Sequence, residues 1–313
     1  MTSSGSAAGL SHSGSALAPR SKRRLEKAVR IGFLAAAAVS IFTTFGIVLA
    51  LLIPSIGFFQ EVSPIEFLFG DRWAPRFAEP SFGVLPLVSA TIWTTVIALI
   101  FAVPLGLGAA IFLAEYASPR LRKILKPILE LLAGIPTVVY GLFALFFVQT
   151  VLIKEVFKWD SGAFSVLAAG FVMGVMIIPT VASISEDAMS AVPMSMRQGS
   201  AALGANKMQT SLRVVFPAAI SGIVAAIVLG VSRAVGETMI VAIAAGQQAR
   251  VVAGPLEQGQ TMTGFIANAA LGDSRVGSIE YNTLFAVGLL LFALTLLINF
   301  IAIAFVRRIR KEY

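Results

Sequence analysis

Long apolar stretches constrain the fold of this chain more than any other feature. A helix needs about 20 apolar residues to cross a bilayer. Five stretches reach that length, at 31–53, 86–114, 128–152, 163–185 and 283–306. A sixth, 214–243, is equally apolar but contains Arg233 and Glu237. The sequence therefore predicts an all-α integral membrane protein with six transmembrane helices.

Composition agrees with this class and excludes several kinds of site. Only 13% of the residues are charged and 57% are hydrophobic, whereas a soluble domain has about 25% charged residues. The chain has no cysteine, and its one histidine, His12, lies in a Ser/Gly/Ala-rich start. We therefore expect no disulfide, no metal site and no cofactor in this chain.

The distribution of Lys and Arg predicts the orientation. Seventeen of these residues lie in the segments 1–30, 118–127, 186–213 and 307–313. The alternate loops hold two each, at 54–85, 153–162 and 244–282. Both termini are therefore expected in the cytoplasm. The net charge of +8 is interpreted as a topology signal and not as a sign of nucleic-acid binding.

The cytosolic segment between the fourth and fifth predicted spans is mildly amphipathic. Apolar side chains alternate there with Arg and Lys, and the apolar ones include Met194, Leu203 and Met208. Gly199 and Gly204 allow turns between short helices. Exposed methionines suit docking into a groove on a soluble partner. A helix lying on the membrane surface is the alternative.

This segment resembles the cytoplasmic loop of ABC importer permeases, whose pattern is E-A-A-x3-G-x9-I-x-L-P. Gly204 occupies the glycine position, and Pro217 closes "VVFP" thirteen residues later. Gln198, Gly199 and Ser200 replace E-A-A. The resemblance implies that the loop forms coupling helices that contact an ATPase. Without the Glu, Gln198 can hydrogen-bond to that partner but cannot form an ion pair with it.

Three further stretches, 82–119, 129–145 and 232–246, are similar to phosphate-specific ABC permeases. The loop "SPIEFLFGDRWAP" at 63–75 is similar to the PstC type of subunit. The resemblance covers about residues 60–306. It implies the transmembrane domain of a type I importer of inorganic phosphate in the bacterial or archaeal plasma membrane. Its implied partners are a homologous permease subunit, two cytosolic P-loop ATPase subunits and an external phosphate-binding protein.

The resemblance and the apolar stretches together predict five consecutive segments. They are a disordered basic cytosolic tail (1–30), a first transmembrane helix (31–53), an external loop (54–85), a core permease domain (86–306) with five spans and its coupling loop at about 186–217, and a second basic cytosolic tail (307–313). No P-loop is found, since "GSAALGANK" has Ala205 where the phosphate-binding Lys must stand. The subunit is therefore expected to be catalytically silent, with ATP hydrolysis on a partner.

Arg233 and Glu237 are the candidate residues of the substrate path. If the helix continues through "SRAVGET", positions i and i+4 share a face and the two side chains can pair. A guanidinium inside the membrane can give bidentate hydrogen bonds to a tetrahedral oxyanion. The resemblance also implies that an Arg and a Glu in this stretch matter for transport. A purely structural ion pair is the alternative interpretation.

Three local features give narrower expectations. Gly170 and Gly174 have the spacing that lets two helix backbones approach closely. Pro136 should kink the third span. Glu130 is expected to pair with Lys123 or Lys126 at a helix end. The patch "TMTGFIANAAL" in 244–282 is a half-inserted helix or part of a docking surface.

Two other functions stay open at this stage. A sulfate or molybdate permease could use the same arginine, because those anions are also tetrahedral. A proton-coupled secondary carrier, with Glu237 as its proton site, is the rival from another class. No internal repeat of the kind such carriers often show is found.

Overall fold

The computed structural model describes residues 20–272 and 275–309, and these residues are almost entirely helical. Helix α1 (Arg20–Glu61) begins in a first unit, whose described residues are 20–50. The second unit comprises residues 51–313 and contains all the other elements. The all-α prediction is confirmed.

The first half of the second unit contains a small hairpin and two long helices. Several helices continue into wider, π-helical turns. The elements are α2 (Pro64–Phe69), strands β1 (Trp73–Ala74) and β2 (Ser81–Phe82), α3 (Leu85–Ile111) with π-helical turns at Phe112–Tyr116, α4 (Pro119–Ala133), α5 (Thr137–Phe143) with π-helical turns at Ala144–Val156, and α6 (Val166–Ser190). The strands pair antiparallel, with Trp73 opposite Phe82.

Shorter helices make up most of the second half. They are α7 (Met194–Ala202), α8 (Lys207–Thr210) with π-helical turns at Ser211–Val215, α9 (Phe216–Ala218), α10 (Ile220–Val235), α11 (Met239–Ala244), α12 (Met262–Ala270) and the long α13 (Ile279–Ile309).

The number of described helices that can span a membrane reaches the predicted six when one bent helix pair is counted as a single span. Five described helices are long and apolar enough, at Glu26–Glu61, Leu85–Tyr116, Thr137–Val156, Val166–Ser190 and Ile279–Arg308. The sixth is a pair, Lys207–Ala218 and Ile220–Val235, bent by 72°. The predicted span 214–243, which is the fifth in chain order, therefore corresponds to a broken helix.

The chain breaks, and does not merely kink, before Pro136. Helix α4 ends at Ala133, and the Gly134 N–H turns back to the carbonyls of Glu130 and Leu131 at 3.2 and 3.0 Å. Pro136 then stands as the N-cap of α5, since a proline has no N–H to continue the α4 ladder. Residues 128–133 thus belong to α4, and the apolar helix starts at Thr137.

Helices α3 and α6 form the centre of the second unit and run in the same direction. A Cβ added to Gly170 would lie 2.8 Å from the Ile97 side chain, and one added to Gly106 would lie 2.8 Å from Val181. At Gly174 the nearest atom would be the Ala98 carbonyl oxygen, also at 2.8 Å. The close approach predicted from the Gly170/Gly174 spacing is confirmed, because only glycine leaves room for the facing helix.

The two ends of the bundle are formed by different elements. At the hairpin end, which contains β1, β2 and the loop 246–261, the first amides of α6 bond to the carbonyls of Glu257 and Pro255 at 2.9 and 2.8 Å. Trp73 and Phe265 pack there with ring centroids 4.9 Å apart. At the other end, α3 and α6 finish beside α7, α8 and α9, which we call the coupling segment (residues 194–218).

Candidate functional site

The turn in the coupling segment depends on Gly204. Its φ is +83°, a left-handed conformation that is unfavourable for residues with a Cβ. Asn206 then starts α8 with a capping box: its side chain accepts from the Gln209 N–H at 2.8 Å, and the Gln209 side chain accepts from the Asn206 N–H at 2.9 Å. The turn predicted at Gly204 is confirmed, whereas the one at Gly199 is wrong, because Gly199 lies inside α7.

The coupling segment exposes apolar side chains around that turn. Leu203 is 91% exposed, Met194 67% and Met208 62%. Gln198 and Gly199 are also exposed, and Ser200 shares a 2.9 Å hydrogen bond with Thr210. A groove of about 500 Å³ runs along this surface, lined by Met196, Gly199, Ser200, Leu203, Gly204, Ala205, Gln209, Arg213 and Val214. The motif residues thus lie on an accessible surface with an apolar rim.

Pro217 lies at the bend of the broken helix. It occupies the three-residue helix α9, and the chain turns by 72° before α10 begins at Ile220. The last motif residue therefore connects the coupling segment to the membrane helix that carries Arg233.

Arg233 lies in the last turn of α10 and is half-buried. Its Nη1 donates to the Thr180 hydroxyl of α6 at 3.0 Å. The neighbouring Ser232 donates to the Asn299 side chain of α13 at 3.2 Å. These two bonds fix the end of α10 between α6 and α13.

The predicted ion pair between Arg233 and Glu237 is wrong. Helix α10 ends at Val235, so the i, i+4 geometry does not hold. The Glu237 carboxylate instead accepts from the Met239 and Ile240 amides at 3.0 and 3.2 Å. Those are unpaired N–H groups at the start of α11, and a carboxylate satisfies them well.

Glu237 is thus a structural part of the break between α10 and α11. Its side chain is buried at 8% exposure, and its carbonyl accepts from the Thr263 hydroxyl of α12 at 2.6 Å. Residues 261–265, at the start of the patch predicted from "TMTGFIANAAL", are likewise buried. The first half of the patch therefore packs beside Glu237, whereas Asn268, Ala270 and Leu271 in its second half are exposed.

Arg233 keeps most of its hydrogen-bonding capacity. A guanidinium has five N–H donors, and the Thr180 hydroxyl is a neutral acceptor for one of them. Within residues 20–272 and 275–309, no carboxylate oxygen lies within 4 Å of its nitrogen atoms. A half-buried cation without a counter-ion is well suited to receive an anion.

Two ion networks near the coupling segment escaped the sequence reasoning. Glu186, fully buried near the end of α6, pairs with Arg122 and with Lys126 at 2.9 Å. Lys126 also pairs with Asp187 at 2.7 Å. Among the described residues neither Lys123 nor Lys126 forms an ion pair with Glu130, so the expected pairing is wrong, and Lys126 instead faces α6. In the other network Arg197 pairs with Glu115 at 3.1 Å.

No sequence pattern marks these pairs, because their members lie far apart in the chain. Charged residues close to the end of a predicted span were the available signal. Such a signal does not identify the partner.

Comparison with known protein families gives one domain match. The model of the binding-protein-dependent transport system inner membrane component matches residues 102–311. A probable ABC transporter permease of Bacillus subtilis is 41% identical over 238 residues, 75% of each chain.

Relatives named as the phosphate transport permease PstC are found as well. The Xylella fastidiosa protein is 33% identical over 271 residues, which is 80% of this chain and 82% of that one. PstC 1 of Mycobacterium tuberculosis is 38% identical over 253 residues, 74% of each chain.

Solved structures share the fold at low sequence identity. A chain of a bacterial ABC transporter that imports alginate has a TM-score of 0.62 at 17% identity, covering 92% of this chain and all of that one. A chain of the MetNI methionine transporter has a TM-score of 0.57 at 20% identity, covering 72% of this chain and 97% of that one. Both support the fold class predicted from the sequence.

Proposed function

Because the chain belongs to the family of binding-protein-dependent transport system inner membrane components, we propose that it is a permease subunit of an ATP-driven importer of inorganic phosphate. The observation that carries the choice of phosphate is the similarity, at 33% and 38% identity, to permeases named for phosphate transport. The half-buried Arg233, with no carboxylate partner among the described residues, agrees with an anionic substrate.

Arg233 is the proposed contact for phosphate within the membrane. A guanidinium matches two oxygens of a tetrahedral oxyanion with parallel N–H donors. The Arg233 side chain is already held by its 3.0 Å hydrogen bond to Thr180. It therefore loses less conformational entropy when an anion binds. Glu237 acts differently in this proposal: it shapes the break after α10, and its negative charge disfavours a second anion in the same space.

The coupling segment is the proposed contact for the ATPase. Its exposed residues include Gln198, Gly199 and Gly204, while Ser200 and Pro217 shape the loop and its exit. The coupling-segment end then lies in the cytoplasm, together with both termini, and the hairpin end lies outside.

The complete transporter in this proposal has five protein subunits. This chain pairs with a homologous permease, two cytosolic P-loop ATPase subunits attach to the coupling segments, and an external phosphate-binding protein delivers the substrate. ATP-driven approach of the ATPases moves the coupling segments, and the bundle alternates between outward and inward access.

Uptake of labelled phosphate tests this proposal. Cells expressing the subunit with its genomic neighbours are given phosphate at micromolar-scale supply, with excess unlabelled sulfate, and with or without an uncoupler. Uptake that resists sulfate and uncoupler but stops when ATP is depleted supports the importer. Competition by sulfate would favour a sulfate or molybdate permease. Collapse with the proton gradient at constant ATP would favour a secondary carrier.

A further inference from the structure

Both limbs of the coupling segment meet at one carboxylate, that of Glu115. This residue lies in the π-helical turns Phe112–Tyr116 that end the span begun by α3. From the first limb, Arg197 of α7 places Nη2 3.1 Å from Oε1. From the second limb, the Ser211 hydroxyl, which donates to the Lys207 carbonyl at 2.8 Å, lies 3.5 Å from Oε2. The Glu115 side chain thus contacts two helical parts of the coupling segment, at positions that are fourteen residues apart in sequence.

Arg197 extends this contact to a second membrane helix. The same Nη2 donates to the carbonyl of Met189 in α6 at 2.7 Å. The guanidinium therefore bridges the ends of α3 and α6, the two helices at the centre of the unit. Arg197 thus connects α7 to both of them.

The bridge is shielded from water. The Arg197 side chain is 17% exposed and that of Glu115 is 7% exposed. An apolar cluster surrounds the same ends, with Ala110, Met189, Val192, Val215, Ala219 and Ile223 as its buried members. Charge pairs in such surroundings are screened much less than surface pairs.

The bridge is also separate from the accessible face of the coupling segment. Met194, Leu203 and Met208 are all exposed and are available for the ATPase. Arg197 and Glu115 face the membrane helices. Docking and transmission therefore depend on different residues of the same segment.

We propose that Glu115 and Arg197 are positioning residues that transmit the movement of the coupling segment to α3 and α6. The inference rests on the proposed function, because it requires an ATPase that pushes on α7. Without the bridge, ATP hydrolysis continues at the docked ATPase, but less of the movement reaches the translocation path.

The number of ATP molecules hydrolysed per phosphate imported tests this role. Wild-type transporter, complete with its partner permease, ATPases and binding protein, is reconstituted in proteoliposomes. Arg197→Gln and Glu115→Gln remove one charge each with little change in shape. We expect each to raise the ATP-to-phosphate ratio at least fivefold, and the double variant to raise it no further. Arg120→Gln, an exposed arginine of the neighbouring α4, is the matched control and should leave the ratio unchanged.

Several results would overturn the inference. One is an Arg197→Gln transporter that co-purifies with the ATPase and has the wild-type ATP-to-phosphate ratio. Another is a double variant whose ratio is raised by the sum of the two single effects. Failure of both single variants to co-purify would assign the pair to assembly instead of transmission. If the wild-type transporter itself imports no phosphate, the proposed function fails. ATP hydrolysis alone then tests the bridge, by whether the binding protein still stimulates it in the variants.

Discussion

Arg233 donates to the Thr180 hydroxyl at 3.0 Å, and a glutamine at this position would keep a donor without the charge. Arg233→Gln should lower phosphate uptake by roughly 10- to 100-fold, since a hydrogen bond to a charged group is worth about 1.5–3 kcal/mol. Labelled-phosphate uptake at equal membrane levels measures the effect. Leu229→Ala, at an exposed position of the same helix, is the control and should retain most uptake. Wild-type uptake by Arg233→Gln would remove Arg233 from the substrate path.

Glu237 accepts hydrogen bonds from the amides of Met239 and Ile240. Glu237→Gln keeps an acceptor oxygen, whereas Glu237→Ala leaves both amides without a side-chain acceptor. The alanine variant should lose about 1 kcal/mol of stability, the usual size for a lost helix cap, and the glutamine variant should lose less. Thermal unfolding in detergent compares the two. Equal stability of the alanine variant and the wild type would show that the cap contributes nothing.

At the scale of the elements, the coupling segment offers a matched pair of glycines. Gly204 has φ +83°, whereas Gly199 lies inside α7, and an added Cβ would meet nothing within 4 Å at either position. Gly204→Ala should destabilise by about 1–2 kcal/mol because the left-handed backbone is strained for alanine. Gly199→Ala should be neutral or stabilising by up to about 1 kcal/mol. The thermal unfolding midpoint should fall for Gly204→Ala and should stay the same or rise for Gly199→Ala. Equal shifts of the two midpoints would contradict the turn assigned to Gly204.

The contact between α4 and α6 provides a second matched pair. Glu186 is fully buried and pairs with Arg122 and Lys126, whose side chains are 37% and 29% exposed. Glu186→Ala should destabilise by about 2–3 kcal/mol, less than the ~3–5 kcal/mol for a fully buried pair, because water still reaches the two cations.

Asp187→Ala is the control for this contact. Its carboxylate is 63% exposed although it also pairs with Lys126, and exposed pairs are typically worth about 0–1 kcal/mol. The free energy of unfolding in detergent is the quantity compared. Equal losses in the two variants would mean that burial does not set the strength of these pairs.

For the whole molecule, the orientation predicted from Lys and Arg can be tested cleanly because the chain has no cysteine. Leu203, 91% exposed, lies in the coupling segment, and Phe77, 70% exposed, lies in the hairpin. A membrane-impermeant maleimide added to intact cells should label Phe77→Cys and not Leu203→Cys. Permeabilised cells that express the subunit without its ATPase should label both. Reversed labelling would invert the topology and place the coupling segment outside.

The sequence determined the class of the protein and the approximate positions of its helices. Apolar length is a local property, since each span must satisfy its own backbone inside the bilayer. The turn at Gly204 and the contact at Gly170 and Gly174 were also predictable, because glycine at those positions has a specific backbone reason. The motif residues were identified in the sequence by the resemblance of their segment to the cytoplasmic loop of ABC importer permeases.

The tertiary structure decided which charges meet. The helix ends at Val235, so Arg233 and Glu237 do not share a helix face. The Glu237 carboxylate accepts hydrogen bonds from the first amides of α11 instead. Lys126 forms an ion pair with Glu186 on α6 and not with Glu130, which is nearby in sequence. Arg197 found Glu115, 82 residues earlier in the chain. Local spacing cannot predict such pairs, because a buried charge selects its partner by the packing of helices that are distant in sequence.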